Sequence, residues 1–348
     1  MDLYVFDPNY NKIAVIDSYT SLIWTKRYYD IGDCEIYISA TTKSLDVLRI
    51  GNFVMRSDDD MICRIEKIQI ETDVEEGNFI IATGYDCKKI LNQRVIWDQT
   101  NYSGTAENFI RQLITANLIS PTIASRAIPN FQLSTEQGYI ETTEEQVTFD
   151  PLGDKVISIC KTFGYGCKVV FDQELKQFTF ELYKGIDRSY SQTENSYVVF
   201  SPEFDNLSST TYESDNSEVC NVALVAGEGE GVARKKITCG EASGINRYEL
   251  FVDAKDISSY TNGEVVIDYN QALINRGFEK LAEHVVITSY EGQVETGRMY
   301  RYKDDWLLGD IVQVKNELGI MIASRIIEVI ESYNDEGYTV IPTFEFEG

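Results

Sequence analysis

The chain has 348 residues, 43% of them hydrophobic, which suits about two to four domains better than a single core. Its net charge of −25, from 56 acids against 31 bases, repels a phosphate backbone and argues against affinity-driven nucleic-acid binding. The opening Met1–Pro8 has no basic n-region or apolar h-region, and no stretch nears the roughly 18 uninterrupted apolar residues of a membrane span, so cytoplasmic synthesis without a secretory signal is expected.

Alternating and continuous apolar runs dominate the first part of the chain, as strands require. Leu3–Phe6 and Ile13–Ile16 flank the turn Asp7-Pro8-Asn9 as an opening hairpin. Strands are expected at Ser21–Lys26, Cys34–Ser39, Phe53–Arg56, Met61–Ile70 and Asn78–Gly84, a density that suits a barrel or sandwich. Helical spacing follows at Ala106, Phe109, Ile110, Leu113 and Ile114, behind the candidate caps Ser103 and Thr105. A second helix is marked by Leu152, Val156, Ile159, Cys160 and Phe163, with Asp150 as N-cap, Pro151 in the first helical position and Gly164 at its end. Cys167–Phe171 and Phe178–Tyr183 read as a hairpin, and Ser196–Glu218, rich in Ser, Asn, Asp and Tyr, as a crossing between domains. Asn221–Ala226 and Ala233–Cys239 are strands joined by Gly227–Gly231, and Leu273, Ile274, Phe278, Leu281 and Val285 mark a third helix.

One pattern occurs twice. Leu48–Val54, then Cys63-Arg64-Ile65-Glu66-Lys67-Ile68, then Gly77–Ile81 match Trp306–Val312, Ser324-Arg325-Ile326-Ile327-Glu328-Val329 and Gly337–Ile341. Each copy has a glycine turn, a strand, an Arg-Ile-x-x-[Ile/Val] strand, an acidic loop and a closing strand, which raises an internal duplication.

Catalytic signals are weak. The one histidine, His284, falls near the end of the third helix, where a cation meets the helix dipole favourably, and reads as structural. No G-x-S-x-G elbow accompanies it. Gly227–Gly231 is followed by a strand, not a helix, and so reads as a hairpin turn rather than a phosphate cradle. Asp58-Asp59-Asp60 and Glu75-Glu76 fall in expected turns, where solvated charge is the default. Seven scattered cysteines (Cys34, Cys63, Cys87, Cys160, Cys167, Cys220 and Cys239) contain no CxxC pair and read as reduced, mostly buried apolar residues. No catalytic, cofactor-binding or metal-binding residue is assigned, and no cofactor is expected.

Several segments together resemble the distal tail-hub (baseplate hub) family of siphophages and prophages, the structural N-terminal region of tail-associated lysins. They are Ala14–Trp24, Arg27-Tyr28-Tyr29, Leu91–Trp97, Ser125–Asn130, Tyr183–Ser189, Val198–Ser201, Asn221-Val222-Ala223, Arg247-Tyr248-Glu249, Asp304–Val312 and Pro342-Thr343-Phe344. Their order covers almost the whole chain. The resemblance implies a mainly β fold with α+β insertions: two tail-tube-like β-barrels and two smaller domains per chain, three chains forming a pseudo-sixfold ring. The expected division is barrel one at about 1–98 with added strands from about 196–232, an α+β insert at about 99–195, a second small α+β domain at about 233–290, and barrel two at about 291–348.

The same resemblance implies a non-enzymatic subunit of the virion's distal tail, joining a sixfold tail tube to threefold tip components and forming the conduit for DNA or effector. Implied partners are two further copies, a distal tail or tail-tube protein, the C-terminus of a tape-measure protein, and a spike, fibre or separate lysin. Sequence-specific nucleic-acid binding and stable membrane association are not expected. Longer members carry a C-terminal wall-cleaving or fibre-like extension, whereas this sequence stops at Gly348 soon after the second pattern. A tail-associated cell-wall hydrolase and a glycan-binding tip protein are the alternatives.

Overall fold

The computed structural model describes residues 1–73, 77–260, 268–294, 299–315, 319 and 321–346. Glu75-Glu76 lie outside the described residues. The fold is mainly β, and its largest feature is a sheet of 13 strands.

The first third of the chain supplies β1 (Leu3–Phe6), β2 (Lys12–Ile16), β3 (Ser21–Arg27), β4 (Asp33–Ser39), helix α1 (Thr42–Val47), β5 (Phe53–Arg56), β6 (Ile62–Asp73) and β7 (Gly77–Asp86). Alternation puts Leu22, Trp24, Cys34, Ile36, Cys63, Ile65, Ile80 and Ala82 in one core, while Phe6, Phe53 and Ile62 of the same strands join a second core shared with the insert. Helix α1 escaped the sequence reading because it is a single short turn set by a capping box between Thr41 and Ser44.

An insert follows: β8 (Thr100–Thr105), α2 (Ala106–Ile114), β9 (Phe131–Leu133), β10 (Thr142–Val147), α3 (Leu152–Phe163), β11 (Gly166–Asp172) and β12 (Gln177–Tyr183). Thr105 caps α2 as expected, accepting from the Asn108 amide. Helix α3 begins one residue later than its spacing implies, with Pro151 as N-cap and no side-chain cap from Asp150. The cause is local: Ile96 N–H donates to Asp150 O and Leu152 N–H to Arg94 O, so the chain is still held extended at Asp150. Gly164 ends α3 in the left-handed region, as read.

The chain then gives β13 (Val199–Phe200), β14 (Leu207–Asp215), β15 (Val222–Ala226), β16 (Lys236–Cys239), β17 (Glu249–Asp253) and α4 (Tyr269–Ala282). It closes with β18 (Ile287–Val294), β19 (Ile311–Lys315), β20 (Met321–Asn334) and β21 (Gly337–Phe346). Strands β15, β16 and β17 form a small sheet of their own, with Gly227–Gly231 in the β15–β16 connection. The strands expected to add to the first meander from about 196–232 lie elsewhere. β13 pairs with β19 and β14 with β18, because Val198, Phe200 and Leu207 share a core with Trp306, Val312 and Phe344.

Along the main sheet the order is β14-β18-β21-β20-β3-β4-β7-β6-β5-β1-β2. The two copies of the repeated pattern therefore stand side by side, and the junction is the antiparallel pairing of β20 with β3. Both long strands of the repeat carry a bulge at the same motif position, Ile65/Lys67 in β6 and Ile326/Glu328 in β20. A shared bulge re-aims both strands alike and is a designed feature rather than a defect.

Tyr28, at the exit of β3, locks the pieces together. It is fully buried, its N–H donates to Ile327 O of β20, its carbonyl accepts from Cys167 N–H of β11, and its hydroxyl donates to Gly164 O at 3.0 Å. Its ring lies so close to Gly309 that a Cβ there would sit 2.2 Å from Tyr28 Cε2, and Gly309 has φ +96°. Gly309→Ala is expected to destabilise the chain by about 3 kcal/mol through overpacking plus left-handed strain. Gly138→Ala, at φ +80° with open space around it, is expected to cost only about 1 kcal/mol. Thermal melts of the two variants check the difference, and equal losses would refute the close-approach argument.

Candidate functional site

The seam between the repeated halves is built on a buried charge pair. Arg56, at the end of β5, and Glu331, in β20, have side chains 0% and 1% exposed and meet at 2.9 Å. Arg56 also donates to Asp58 at 3.0 and 2.7 Å and to the Tyr333 hydroxyl at 3.0 Å, while Tyr338 donates to Glu331 at 2.8 Å. The Arg56 guanidinium lies 5.8 Å from the Trp24 ring centroid and 5.2 Å from that of Tyr333. Burial disfavours the Arg56 charge, but the hydrogen bonds and field of Asp58 and Glu331 outweigh it and hold the guanidinium protonated well above its usual range. Burial, helped by the Glu331 charge and opposed by that of Arg56, pushes the Tyr333 hydroxyl up to about 12.

Within the acidic turn, Asp58 and Asp60 remain exposed as expected, whereas the Asp59 side chain does not. Asp59 is fully enclosed, with Lys26 at 2.6 Å and Lys303 at 3.3 Å. Asp60 binds Lys168 of β11 at 2.8 Å. One acidic turn thus ties β3, the insert and the segment before β19. It borders a cleft of about 770 Å³ whose lining includes Met61, Val169, Tyr183 and Tyr302. Burial raises the Asp59 carboxyl, but Lys26 and Lys303 more than offset this and hold it at about 2.

A second charge cluster joins the insert to the small domain. Lys155 of α3, buried, pairs with Glu145 and with Glu279 of α4 at 2.7 Å, and Arg276 of α4 pairs with Asp256 at 3.0 Å. Burial raises Glu279, yet Lys155 and Arg276 bring it down to about 2. Asp150, released from capping, lies 3.9 Å from Arg276 in this cluster.

The residues weighed for chemistry do not converge. His284 follows α4, with Nδ1 at 3.2 Å from the Glu218 carbonyl oxygen. Gly227 lies against Tyr269 and Leu273 of α4, far too tight for a Cβ, and the Glu228 amide donates to the Tyr269 hydroxyl. Six of the seven cysteines are buried and Cys220 is half-buried, all as free thiols. Among the described residues, no group of three or more His, Cys, Asp or Glu is placed to hold a metal ion, and no helix is long and apolar enough to cross a membrane.

Among the described residues the main sheet leaves backbone edges open at the outer part of β6 and at β14, as well as at β2, where its strand order ends. Beyond the bulge, β6 pairs only with β7, and β14 pairs only with β18. Unpaired edges of this length are templates for another strand. The core-averted face running toward the β6 edge carries Glu35, Tyr37, Thr83, Lys67, Gln69 and Glu71.

Two outcomes follow from the seam. Arg56→Met leaves Glu331 buried without its cation and is expected to cost about 3–5 kcal/mol, while Arg56→Met with Glu331→Leu costs less than the two single changes summed. A double-mutant cycle by denaturant unfolding checks this, and simple additivity would rule out the pair as a unit. The acid limit follows from Asp59. Its folded carboxyl, at about 2, lies below its ordinary 3.8, so its contribution is fully present above that ordinary value and is lost as pH falls through the folded one. Glu279, at about 2 against 4.5, acts in the same direction. Stability is expected to fall between about pH 4.5 and pH 2, less steeply in Asp59→Asn, as read by melts across that range.

A family profile for siphovirus ReqiPepy6 Gp37-like proteins matches residues 2–344. No curated protein matches the sequence. Among solved structures, the chain is similar to the tail protein from Neisseria meningitidis MC58, with a TM-score of 0.60 at 12% identity, covering 99% of this chain and 96% of that one. It is also similar to the 43 kDa tail protein of prophage MuSo2 from Shewanella oneidensis, with a TM-score of 0.58 at 13% identity, covering 99% and 98%. A third is prophage tail protein gp18 from Listeria monocytogenes EGD-e, with a TM-score of 0.54 at 12% identity, covering 99% and 94%. At these identities the likeness is one of fold, and the profile match extends over nearly the whole chain. The chain belongs to the family of siphovirus ReqiPepy6 Gp37-like proteins.

Proposed function

We propose that this chain is a structural, non-enzymatic subunit of a phage-type tail hub, three copies of which form a ring with six related β units around a conduit. The carrying observation is the continuous sheet: two copies of one strand pattern are joined edge to edge by β20 and β3, with an open edge at β6 and another at β14. A unit that already joins its own halves by strand pairing can join the next chain in the same way. Repeating a head-to-tail contact closes a ring when the rotation permits.

In this reading the duplication resolves a symmetry mismatch. Six similar β units meet a sixfold tail tube on one side, while the threefold identity of the chains meets a threefold tip on the other. The net charge of −25 lowers affinity for DNA passing through the conduit. The division into two tail-tube-like units, an α+β insert and a small α+β domain belongs to this proposal, supported by distinct cores in the first unit, the last unit and the small domain, while the insert's core also takes in Phe6, Phe53 and Ile62. So do the partners: a distal tail or tail-tube protein, the end of a tape-measure protein, and a separate spike, fibre or lysin.

The test is imaging of assembled tails or tail-like particles, with the mass of the purified chain measured alongside. Three copies in a ring at the distal end are expected. Particles without such a ring at that position would overturn the reading, whatever the mass in solution.

A further inference from the structure

The internal repeat fixes which strands meet between copies and in which register. Aligning the two bulges places Ile65 on Ile326 and Lys67 on Glu328, and the same alignment places Gly77 on Gly337. Carried across the sheet, β7 corresponds to β21 and β4 to β18, with Gly84 on Phe344 and Cys34 on Tyr290. One strand further, β3 corresponds to β14, with Trp24 on Tyr212 and Arg27 on Asp215.

Within the chain, β20 pairs with β3 so that Glu328 faces Arg27, Ile330 faces Thr25 and Glu331 faces Trp24. The equivalent of that seam for the other half is β6 against β14. These two strands bound an eight-strand run, β14-β18-β21-β20-β3-β4-β7-β6, the sheet continuing from the first part of β6 into β5, β1 and β2, and among the described residues they do not pair with each other. We propose that β6 of one copy pairs antiparallel with β14 of the next copy, with Lys67 opposite Asp215, Gln69 opposite Glu213 and Ile70 opposite Tyr212. This rests on the ring-forming reading and specifies its interface.

The side chains agree with a register that was set by backbone pairing alone. Glu328 and Arg27 form an ion pair at 2.5 Å across the internal seam, and the transferred position holds Lys67 and Asp215, the same pair with its polarity reversed. Opposite charges directly across an antiparallel pair stabilise it, and like charges oppose it. Ile70 is 55% exposed and Tyr212 is 49% exposed, and the register brings these two large apolar side chains face to face. Aromatic and branched residues opposite each other are among the favoured cross-strand pairs. A slip by one residue turns every side chain to the other face and destroys both matches. The occupant of each edge is therefore a second copy of this chain, and the contact is heterologous, as a closed ring requires.

The experiment uses the full chain in assembled particles, carrying Ile70→Cys with Tyr212→Cys and treated with a short bis-maleimide. The double variant is expected to yield covalent multimers ending at the trimer, while each single variant gives only background from the native thiols. Ile70→Cys with Glu213→Cys, one residue out of register, is expected to cross-link weakly. In solution, K67E or D215K alone is expected to weaken association by about two- to fivefold, and the two together to restore it. If the chain forms its ring but the 70–212 pair fails to cross-link, or if the charge swap fails to restore association, this register is wrong and the hub reading stands. If particles contain no ring of this chain, the hub reading fails and the interface falls with it.

Discussion

The pairing of β20 with β3 organises everything else. It joins strands some 300 positions apart in the chain, with Arg27 and Glu328 as one of its facing pairs. Without it the two repeated halves would be separate meanders, each with exposed edges on both sides. With it they become one sheet, in which β14 and the open part of β6 lie at opposite ends of an eight-strand run. Long-range pairings of this kind carry a large loop-closure cost, so they form only when much else is already in place. The insert and the small domain supply part of that support, through Tyr28 against Gly166 and Gly309 and through the Lys155–Glu279 cluster.

Buried charge gives the seam its geometry more than its strength. Desolvating Arg56 and Glu331 costs about as much as their attraction returns, so the pair adds little net stability while making any misaligned packing costly. Asp59 works similarly, since its carboxylate accepts the Met61 amide and faces Lys26 and Lys303 from other segments. Rigid alignment of two β units is what the proposed ring would require, because a small angular error per joint would accumulate around it.

The individual strands were legible because burial on one face enforces alternation, and the repeat was legible because both copies keep Arg-Ile, the bulge and a glycine turn. The partner of β3 was not, since nothing near Ser21–Arg27 encodes β20. The enclosure of Asp59 within the acidic run was hidden for the same reason: Lys303, one of its two cations, lies more than 100 positions away in sequence. Asp150 had the chemistry of a cap but was diverted by backbone pairing with Ile96 and lies near Arg276. Local propensity reported many of the elements, though not α1, and tertiary partners decided how their charged ends were used.

The two halves differ at one informative place. β3 is followed by only five residues, Tyr28–Gly32, before β4 begins. At the equivalent place, between β14 and β18, the chain instead inserts β15, β16, β17 and α4. The shared strands preserve the sheet geometry that a sixfold neighbour would meet, while the inserted domain occurs once per chain and breaks that equivalence. In the proposed ring, three short loops would alternate with three small domains around a common β core. Because the strands from β14 to β6 keep one pairing pattern through both halves, a difference confined to such a connection would leave the proposed edge pairing intact and fall to the threefold side of that ring.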